Sequence, residues 1–193
     1  VIENELIDPA AVPEPLGGMV EQYLATLERY RLLSYGQQIV RAVAELERAE
    51  VRESVLADLR HLIVDEYQDV NPAQERLIEL LAGDEVEVCV VGDDDQAIYQ
   101  WRGSDVSNIV GFADRYPNVA TFSIETNRRS RPGIIGLANH FATSIPHRLD
   151  KTMAPYRSGP PTGDTVVAWS GEYELDEAGA IAAAILDLND AGV

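Results

Sequence analysis

Apolar positions follow two different spacings along the chain, and together they predict helices interleaved with short strands. Residues 1–18 hold several prolines and a glycine pair, which predicts a loop. Three amphipathic helices are predicted next, because apolar residues recur every three or four positions between Val20 and Leu59. Two short apolar runs, His61–Val64 and Val86–Val91, have the length and β-branched content of buried strands.

The rest of the chain continues this alternation. Asn71 followed by Pro72 predicts the capped start of a helix that ends at Gly83. Further helices are predicted over residues 104–115, 132–144 and 175–192, and further strands over residues 119–124 and 165–169. Strands that alternate with helices indicate an α/β fold with a parallel sheet flanked by helices.

Composition is that of a globular protein, with 193 residues, 46% of them apolar and 25% charged. No apolar run approaches the ~20 residues of a membrane span and no signal-peptide pattern opens the chain, so a cytoplasmic protein without a membrane partner is expected. The single cysteine, Cys89, excludes an internal disulfide and is expected to be a small buried hydrophobe. Trp169 is expected in the core, and the three histidines lack metal-ligand spacing.

Charge changes this picture, because 33 acidic residues against 15 basic ones give a net charge of −18. A field of that sign repels phosphates, so the chain alone is not expected to bind nucleic acid strongly. Its one lysine, Lys151, has no glycine before it, and the sequence contains no G-x-x-x-x-G-K-[ST] phosphate-binding loop. The start at Val1 leads us to expect a piece of a longer protein.

Carboxylates follow both of the first two predicted strands. Asp65 and Glu66 come directly after one, and Asp93 follows the other. Ligands of open α/β sheets bind beyond the carboxyl ends of the strands. Asp65 would suit Mg²⁺, and Glu66 could deprotonate a water that attacks a phosphoryl group. From the residues alone, solvated turn residues or helix caps remain an equal alternative.

Longer strings favour the chemical interpretation. The sequences VDEYQDVN at 64–71 and VGDDDQAIYQWRGS at 91–104 resemble motifs II and III of the UvrD/Rep-like superfamily 1 DNA helicases. NRRS at 127–130 resembles motif IV, where the family usually has tyrosine in place of Arg128. The phosphate-binding motif and motifs V and VI are not found, so the resemblance implies a central fragment of such a helicase.

The resemblance implies a RecA-like fold and an ATP-dependent motor. Residues 1–33 would be the tail of a helical insertion, 34–125 the second half of the first motor domain, and 126–193 the start of the second. The longer protein would couple Mg-ATP hydrolysis to translocation on single-stranded DNA and to duplex unwinding in repair or replication, with accessory repair proteins as possible partners. The isolated chain is expected to be inactive.

The same resemblance implies roles for individual residues. Asp65 would hold Mg²⁺ and Glu66 would be the catalytic base for ATP hydrolysis. Gln96 would sense the γ-phosphate, since an amide both donates and accepts hydrogen bonds. Arg129 would be the arginine finger, and Arg128 would occupy the place of the tyrosine that stacks on adenine.

DNA contacts are implied for the segment that follows Gln96. Tyr99 and Trp101 would stack on bases of single-stranded DNA, and Arg102 would contact phosphate or brace Trp101; ordinary core aromatics are the alternative. Two other functions stay open. One is a helicase-like non-motor subunit of a nuclease or repair complex, and the other is an unrelated Mg²⁺-dependent hydrolase.

Overall fold

The computed structural model describes residues 2–83, 86–159 and 170–192. Its helices are α1 Leu16–Arg29, α2 Tyr35–Leu46, α3 Ala49–Leu56, α4 Pro72–Ala82, α5 Ser107–Val110, α6 Phe112–Arg115, α7 Pro132–Ala142 and α8 Glu174–Asp190. Its strands are β1 His61–Val64, β2 Glu87–Val90, β3 Thr126–Asn127 and β4 Ala154–Pro155. The predicted strand 165–169, with Trp169, lies outside the described residues. None of the described helices has the length and apolar character needed to cross a membrane.

The first two strands form a parallel pair joined through α4, as the sequence predicts. Ile63 lies opposite Cys89 in the register, and Val64 lies opposite Val90. The pairing continues past β2, because the Val91 amide donates to the Val64 carbonyl at 2.8 Å. The carboxyl ends of β1 and β2 therefore lie side by side, which is where ligands of parallel sheets bind.

Helix α4 begins and ends where its sequence predicts. The Asn71 side chain accepts the Gln74 amide at 2.9 Å, and the Gln74 side chain accepts the Asn71 amide at 3.0 Å. This reciprocal capping box satisfies two amides at the helix start, and Pro72 occupies the first turn without losing a needed donor. Gly83 ends the helix at a φ of 50°, a backbone conformation that residues with a Cβ rarely adopt.

Two apolar clusters lie on different faces of α4. Val43 and Leu46 of α2 pack with Leu80 in the first cluster. Tyr67 and Ile78 pack with Val70 in the second, which covers one face of the β1–β2 pair. This second cluster lies directly under the ends of the two strands and fixes the turn that follows β1.

The other face of the β1–β2 pair is open among the described residues, and this corrects the prediction for Cys89. Ile63 is 72% exposed, and its register partner Cys89 is also exposed. Successive side chains of a strand point to opposite faces, and Leu62, Val64 and Val90 pack against the second cluster on the other face. Cys89 is therefore a surface residue here, although its apolar neighbours in sequence predicted burial.

Two predictions are wrong for the part of the chain that connects β2 to β3 in sequence. Instead of one helix over 104–115, the chain forms α5 and α6, which are separated by Gly111. Glycine weakens a helix interior, and the short turns follow from that break. No strand forms over 119–124, where Phe122 and Ile124 are 88% and 89% exposed. An apolar, β-branched run needs a partner strand to pair with, and none of the described strands pairs with this run.

The predicted loop over residues 1–18 is also partly wrong, because α1 already begins at Leu16. Gly17 is the buried residue of this helix. A Cβ placed there would lie 2.5 Å from the Val12 carbonyl oxygen, so the chain can pass this close only at glycine. The glycine pair thus permits a close approach at the helix start, although its composition is typical of a loop.

The chain divides into two compact units. The first contains Val1–Phe122 and Ile145–Asp150, and the second contains Ser123–Ser144 and Lys151–Val193. In the second unit β3 and β4 run parallel, with Asn127 opposite Pro155. The Asn139 side chain joins α7 to this pair, since it donates to the Met153 carbonyl and accepts the Met153 amide.

Candidate active site

Asp65 and Glu66 form an exposed acidic turn directly after β1. Glu66 has a φ of 51°, a left-handed conformation that costs a non-glycine residue roughly 1–2 kcal/mol. The Asp65 carboxylate accepts the Glu66 amide at 2.9 Å, which stabilises the turn. The chain then enters a short 3-10 turn, Tyr67–Asp69, whose first amide donates to the Val91 carbonyl at 2.9 Å. Both carboxylates consequently face solvent beside the end of β2.

A cavity of about 340 Å³ opens beside these carboxylates. Its lining includes Val64, Asp65, Glu66, Asp69, Val70 and Gln74. Asp69 differs from the other two acids, because its Oδ1 is buried without a hydrogen-bond partner among the described residues. Burial raises the pKa of the Asp69 carboxyl above its usual range, and the negative charge of Glu66 raises it further.

The acids after β2 are engaged in hydrogen bonds of their own. Asp93 caps the 3-10 turn Asp94–Gln96 through the Asp95 amide, and its Oδ2 accepts the Gln96 side-chain amide at 2.7 Å. Asp94 is 5% exposed and accepts the Leu149 amide at 2.6 Å. Gln96 itself is exposed at the end of this turn.

Arg148 holds the same turn through a bidentate ion pair with Asp95. Its Nε and Nη2 donate to the two carboxylate oxygens at 2.8 and 2.7 Å. Both side chains are less than one-fifth exposed, at 18% and 19%. Hydrogen bonding to Asp95 raises the pKa of Arg148, so the arginine stays charged. Sequence reasoning missed Arg148, which lies in a loop-like stretch with no motif around it.

Gln68 was also missed, although it stands inside the string that carries the family resemblance. It is 1% exposed, and its amide contacts both strand ends. Its Nε2 donates to Glu66 Oε2 at 2.7 Å, and its Oε1 accepts the Asp93 amide at 2.9 Å. A buried glutamine that follows two acids gives no signal of this kind in the sequence.

A buried polar cluster supports the turn from below. Glu75 is 6% exposed and accepts the Tyr67 hydroxyl at 2.6 Å and the Tyr116 hydroxyl at 3.2 Å. Arg115 pairs with the same carboxylate at 3.4 Å. Burial, the charge of Glu75 and the hydrogen bond to it raise the pKa of Tyr116 to about 12. Burial likewise raises the pKa of Tyr67, so both hydroxyls remain donors at neutral pH.

The predicted DNA-contact residues lie on the segment after Gln96. Tyr99 is 38% exposed and Trp101 is 71% exposed, with ring centroids 6.5 Å apart and an interplanar angle of 52°. Gln100–Arg102 form a 3-10 turn that ends at Gly103, where φ is 90°. Neither aromatic ring is a core residue. The side chain of Arg102 lies outside the described part of the chain.

The two predicted motif IV arginines belong to the second unit. The Asn127 side chain accepts the amides of Arg129 and Ser130 at 3.0 and 2.9 Å, which fixes a tight turn after β3. Arg128 lies with its guanidinium carbon 4.4 Å from the centroid of the Tyr156 ring. Both arginines are exposed. Tyr156 was missed by sequence reasoning, because it follows the short strand β4 without a recognisable motif.

The donor set of the first unit fits a hard cation that keeps most of its water. Asp65 offers one exposed carboxylate, and no cluster of three or more metal-ligating side chains occurs among the described residues. Mg²⁺ in phosphoryl-transfer sites is bound in this way, through one or two carboxylates together with substrate phosphates.

Comparison with known proteins identifies the family. A model of the UvrD/REP helicase N-terminal domain matches residues 8–117. The chain belongs to the UvrD/REP helicase family. Among its relatives are proteins named ATP-dependent DNA helicase PcrA. The one from Staphylococcus epidermidis is 34% identical over 92% of this chain and 25% of its own length. The one from Bacillus subtilis is 32% identical over 98% of this chain and 26% of its own. The chain thus spans about a quarter of the length of these relatives.

Proposed function

We propose that the chain is part of an ATP-dependent DNA helicase that couples Mg-ATP hydrolysis to translocation on single-stranded DNA and to duplex unwinding. The observation that supports this most is the meeting of two strand ends. The Tyr67–Val91 hydrogen bond sets Asp65 and Glu66 beside the turn that carries Gln96. Family membership supports the same function, since the relatives carry the name of ATP-dependent DNA helicases. DNA repair or replication in the cytoplasm is the proposed setting, with accessory repair proteins as possible partners.

The architecture that we propose is RecA-like, in three parts. Residues 1–33 would end a helical insertion, 34–125 would complete the first motor domain, and 126–193 would begin the second. The parallel pair β1–β2, whose strands are connected through α4, supports a motor domain of this kind. The short parallel pair β3–β4 supports the start of another sheet in the second unit.

Asp65 and Glu66 would perform the hydrolytic chemistry. Asp65 would hold Mg²⁺, which when bound neutralises charge on the transferred phosphoryl group. Glu66 would orient the attacking water and accept its proton. The exposure of both carboxylates at the end of β1 supports these roles, because substrate and water can reach them.

Gln96 and the motif IV arginines would complete the nucleotide site. Gln96 would contact the γ-phosphate through its exposed amide, and Arg129 would stabilise charge in the transition state. Arg128 would lie against adenine together with Tyr156, since this pair presents both a guanidinium plane and an aromatic ring. Tyr156, which follows β4, would thus take the place of the tyrosine that the family usually has at position 128.

Tyr99 and Trp101 would form a stacking platform for single-stranded DNA. Base stacking on an aromatic side chain contributes ~1–3 kcal/mol and needs no particular sequence. The exposure of Trp101 supports this role, and Arg102 would contact phosphate or brace that ring. The net charge of −18 means that basic surface for DNA must come from parts of the helicase outside this chain.

The test is DNA-stimulated ATP hydrolysis by the longer protein that carries this chain. Glu66→Gln should lower turnover by ~10²–10⁴-fold while nucleotide binding persists, because only proton transfer is removed. The isolated chain should show no turnover, since its sequence contains no phosphate-binding loop. Hydrolysis by the isolated chain would contradict that expectation of inactivity, and full turnover by Glu66→Gln in the longer protein would contradict the role of Glu66. DNA binding without any ATP hydrolysis by the longer protein would support the non-motor subunit instead.

A further inference from the structure

We propose that Gln68 is a positioning residue that aims the Glu66 carboxylate and connects it to the Gln96 turn. This inference rests on the proposed function, because it assigns Glu66 the role of catalytic base. Gln68 itself would not touch the nucleotide, since its side chain is buried beneath the two strand ends. Its effect would pass through the two hydrogen bonds of its amide.

The amide group of Gln68 supplies the one donor and the one acceptor that its two contacts require. Glu66 needs a donor, and it receives the Nε2 hydrogen at 2.7 Å. The Asp93 amide needs an acceptor, and it donates to Oε1 at 2.9 Å. A glutamate at position 68 would keep the acceptor but set a second negative charge against Glu66. A methionine would keep the approximate length and lose both contacts.

Gly92 leaves the space that the Gln68 side chain occupies. A Cβ built at position 92 would lie 2.6 Å from Gln68 Oε1 and 2.8 Å from Ile109 Cδ1. The neighbouring residue Tyr67 is fully buried, and its hydroxyl is held by Glu75 at 2.6 Å. Gln68 is therefore buried beside Gly92 and next in sequence to the buried Tyr67, which leaves its side-chain amide little room to move.

This enclosure matters because Glu66 is exposed and lies on a left-handed turn. An exposed glutamate side chain has several rotamers, and a base must point at the attacking water in one of them. The hydrogen bond from a buried amide selects a direction for the carboxylate. Since the same Gln68 amide accepts the backbone amide of Asp93, which caps the Gln96 turn, a shift of that turn would also move the base.

The decisive experiment measures kcat and KM for ATP in the longer protein with three variants. Gln68→Met and Gln68→Glu should each lower kcat by ~10–100-fold and leave KM within about twofold, because positioning affects the chemical step. Asn108→Ala is the matched control, since Asn108 is a buried polar residue that contacts the Val70 carbonyl and Arg115 but not Glu66. It should lower the melting temperature without changing kcat.

Amide exchange on the isolated chain provides a readout that does not depend on turnover. Protection of the Asp93 backbone amide should be lost in Gln68→Met and retained in Gln68→Glu, which keeps an acceptor. Glu66→Ala alters an exposed residue and leaves the core intact. It therefore tests the hydrogen bond between Gln68 Nε2 and Glu66 even where the Gln68 variants fail to fold. In that variant the Gln68 side-chain amide protons should exchange faster.

The outcomes separate this inference from the proposed function. Unchanged kcat in both Gln68 variants, with Glu66→Gln inactive, would overturn the positioning role alone. An equal loss of kcat in Asn108→Ala would also overturn it, because general destabilisation would then explain the effect. Unchanged exchange of the Gln68 side-chain amide in Glu66→Ala would contradict the hydrogen bond itself. Full activity of Glu66→Gln would overturn the proposed function, and the inference with it.

Discussion

The ends of β1 and β2 carry similar sequences but use their acids differently. After β1, Asp65 and Glu66 are exposed, and a single buried amide contacts the Glu66 carboxylate. After β2, Asp94 is buried against the Leu149 amide, and Asp95 is paired with Arg148. One run of carboxylates is thus accessible to a ligand, whereas the other holds its own turn in shape.

This difference teaches that acids at a strand end must be sorted by their partners. A buried or half-buried carboxylate that accepts a backbone amide or a bidentate arginine has its lone pairs engaged, and its removal mainly costs stability. A carboxylate that faces solvent on a constrained turn can bind a cation or a water. The two strand ends therefore provide matched positions at which chemical and structural roles can be separated.

The largest expected effect comes from comparing Asp65→Ala with Asp94→Ala. In the longer protein, Asp65→Ala should lower Mg-dependent ATP turnover by at least ~100-fold with little change in melting temperature, because it removes the proposed magnesium ligand. Asp94→Ala should lower stability by about 1–3 kcal/mol, because the buried Asp94 carboxylate no longer accepts the Leu149 amide. Turnover per folded molecule should survive in that variant. The reverse pattern would show that the two strand ends have been assigned the wrong way round.

A smaller effect is expected for the Arg148–Asp95 ion pair in the turn after β2. Arg148→Lys in the chain should lower the free energy of unfolding by more than Arg48→Lys does, because lysine cannot make both bonds to Asp95. Arg48→Lys is the control, since Arg48 is 56% exposed in its ion pairs and exposed pairs contribute less than ~1 kcal/mol. Chemical denaturation of both variants gives the comparison. Equal losses would mean that the Arg148 pair contributes no more than a surface pair.

The smallest effect concerns Asp69, which is neither an exposed acid like Asp65 nor a hydrogen-bonded one like Asp94. Its raised pKa means that the folded state holds the proton more tightly than the unfolded state does. The protonated Asp69 carboxyl therefore stabilises the folded state at a pH below its unfolded pKa of ~3.9. That stabilisation is lost as the pH rises through the higher pKa that Asp69 has in the folded state. Asp69→Asn should therefore slightly stabilise the chain at pH 7, with the gain disappearing at low pH. Denaturation at several pH values tests this, and a pH-independent difference would contradict it.

Much of the fold around the site follows from local sequence. The capped helix α4 and the strands β1 and β2 were predicted because Asn71, Pro72 and the apolar runs act through neighbours in the chain. The exposure of Cys89 and the unpaired run 119–124 were not predictable, since burial depends on which strands lie alongside. The resemblance supplied Asp65, Glu66 and Trp101, but it gave no sign of contacts over long sequence separations. The Arg148–Asp95 pair spans 53 residues and the Gln68–Asp93 bond spans 25.

The central proposal is that the longer protein couples ATP hydrolysis at the ends of β1 and β2 to the binding of DNA at Trp101. Its most direct test measures ATPase activity and duplex unwinding on the same preparation of the longer protein carrying Trp101→Ala. Tyr30→Ala is the matched control, because Tyr30 has a similar exposure of 66% and lies outside the segment after Gln96. Trp101→Ala is expected to keep substantial ATP hydrolysis but to lose most unwinding, while Tyr30→Ala retains both activities. Wild-type unwinding by Trp101→Ala would contradict the claim.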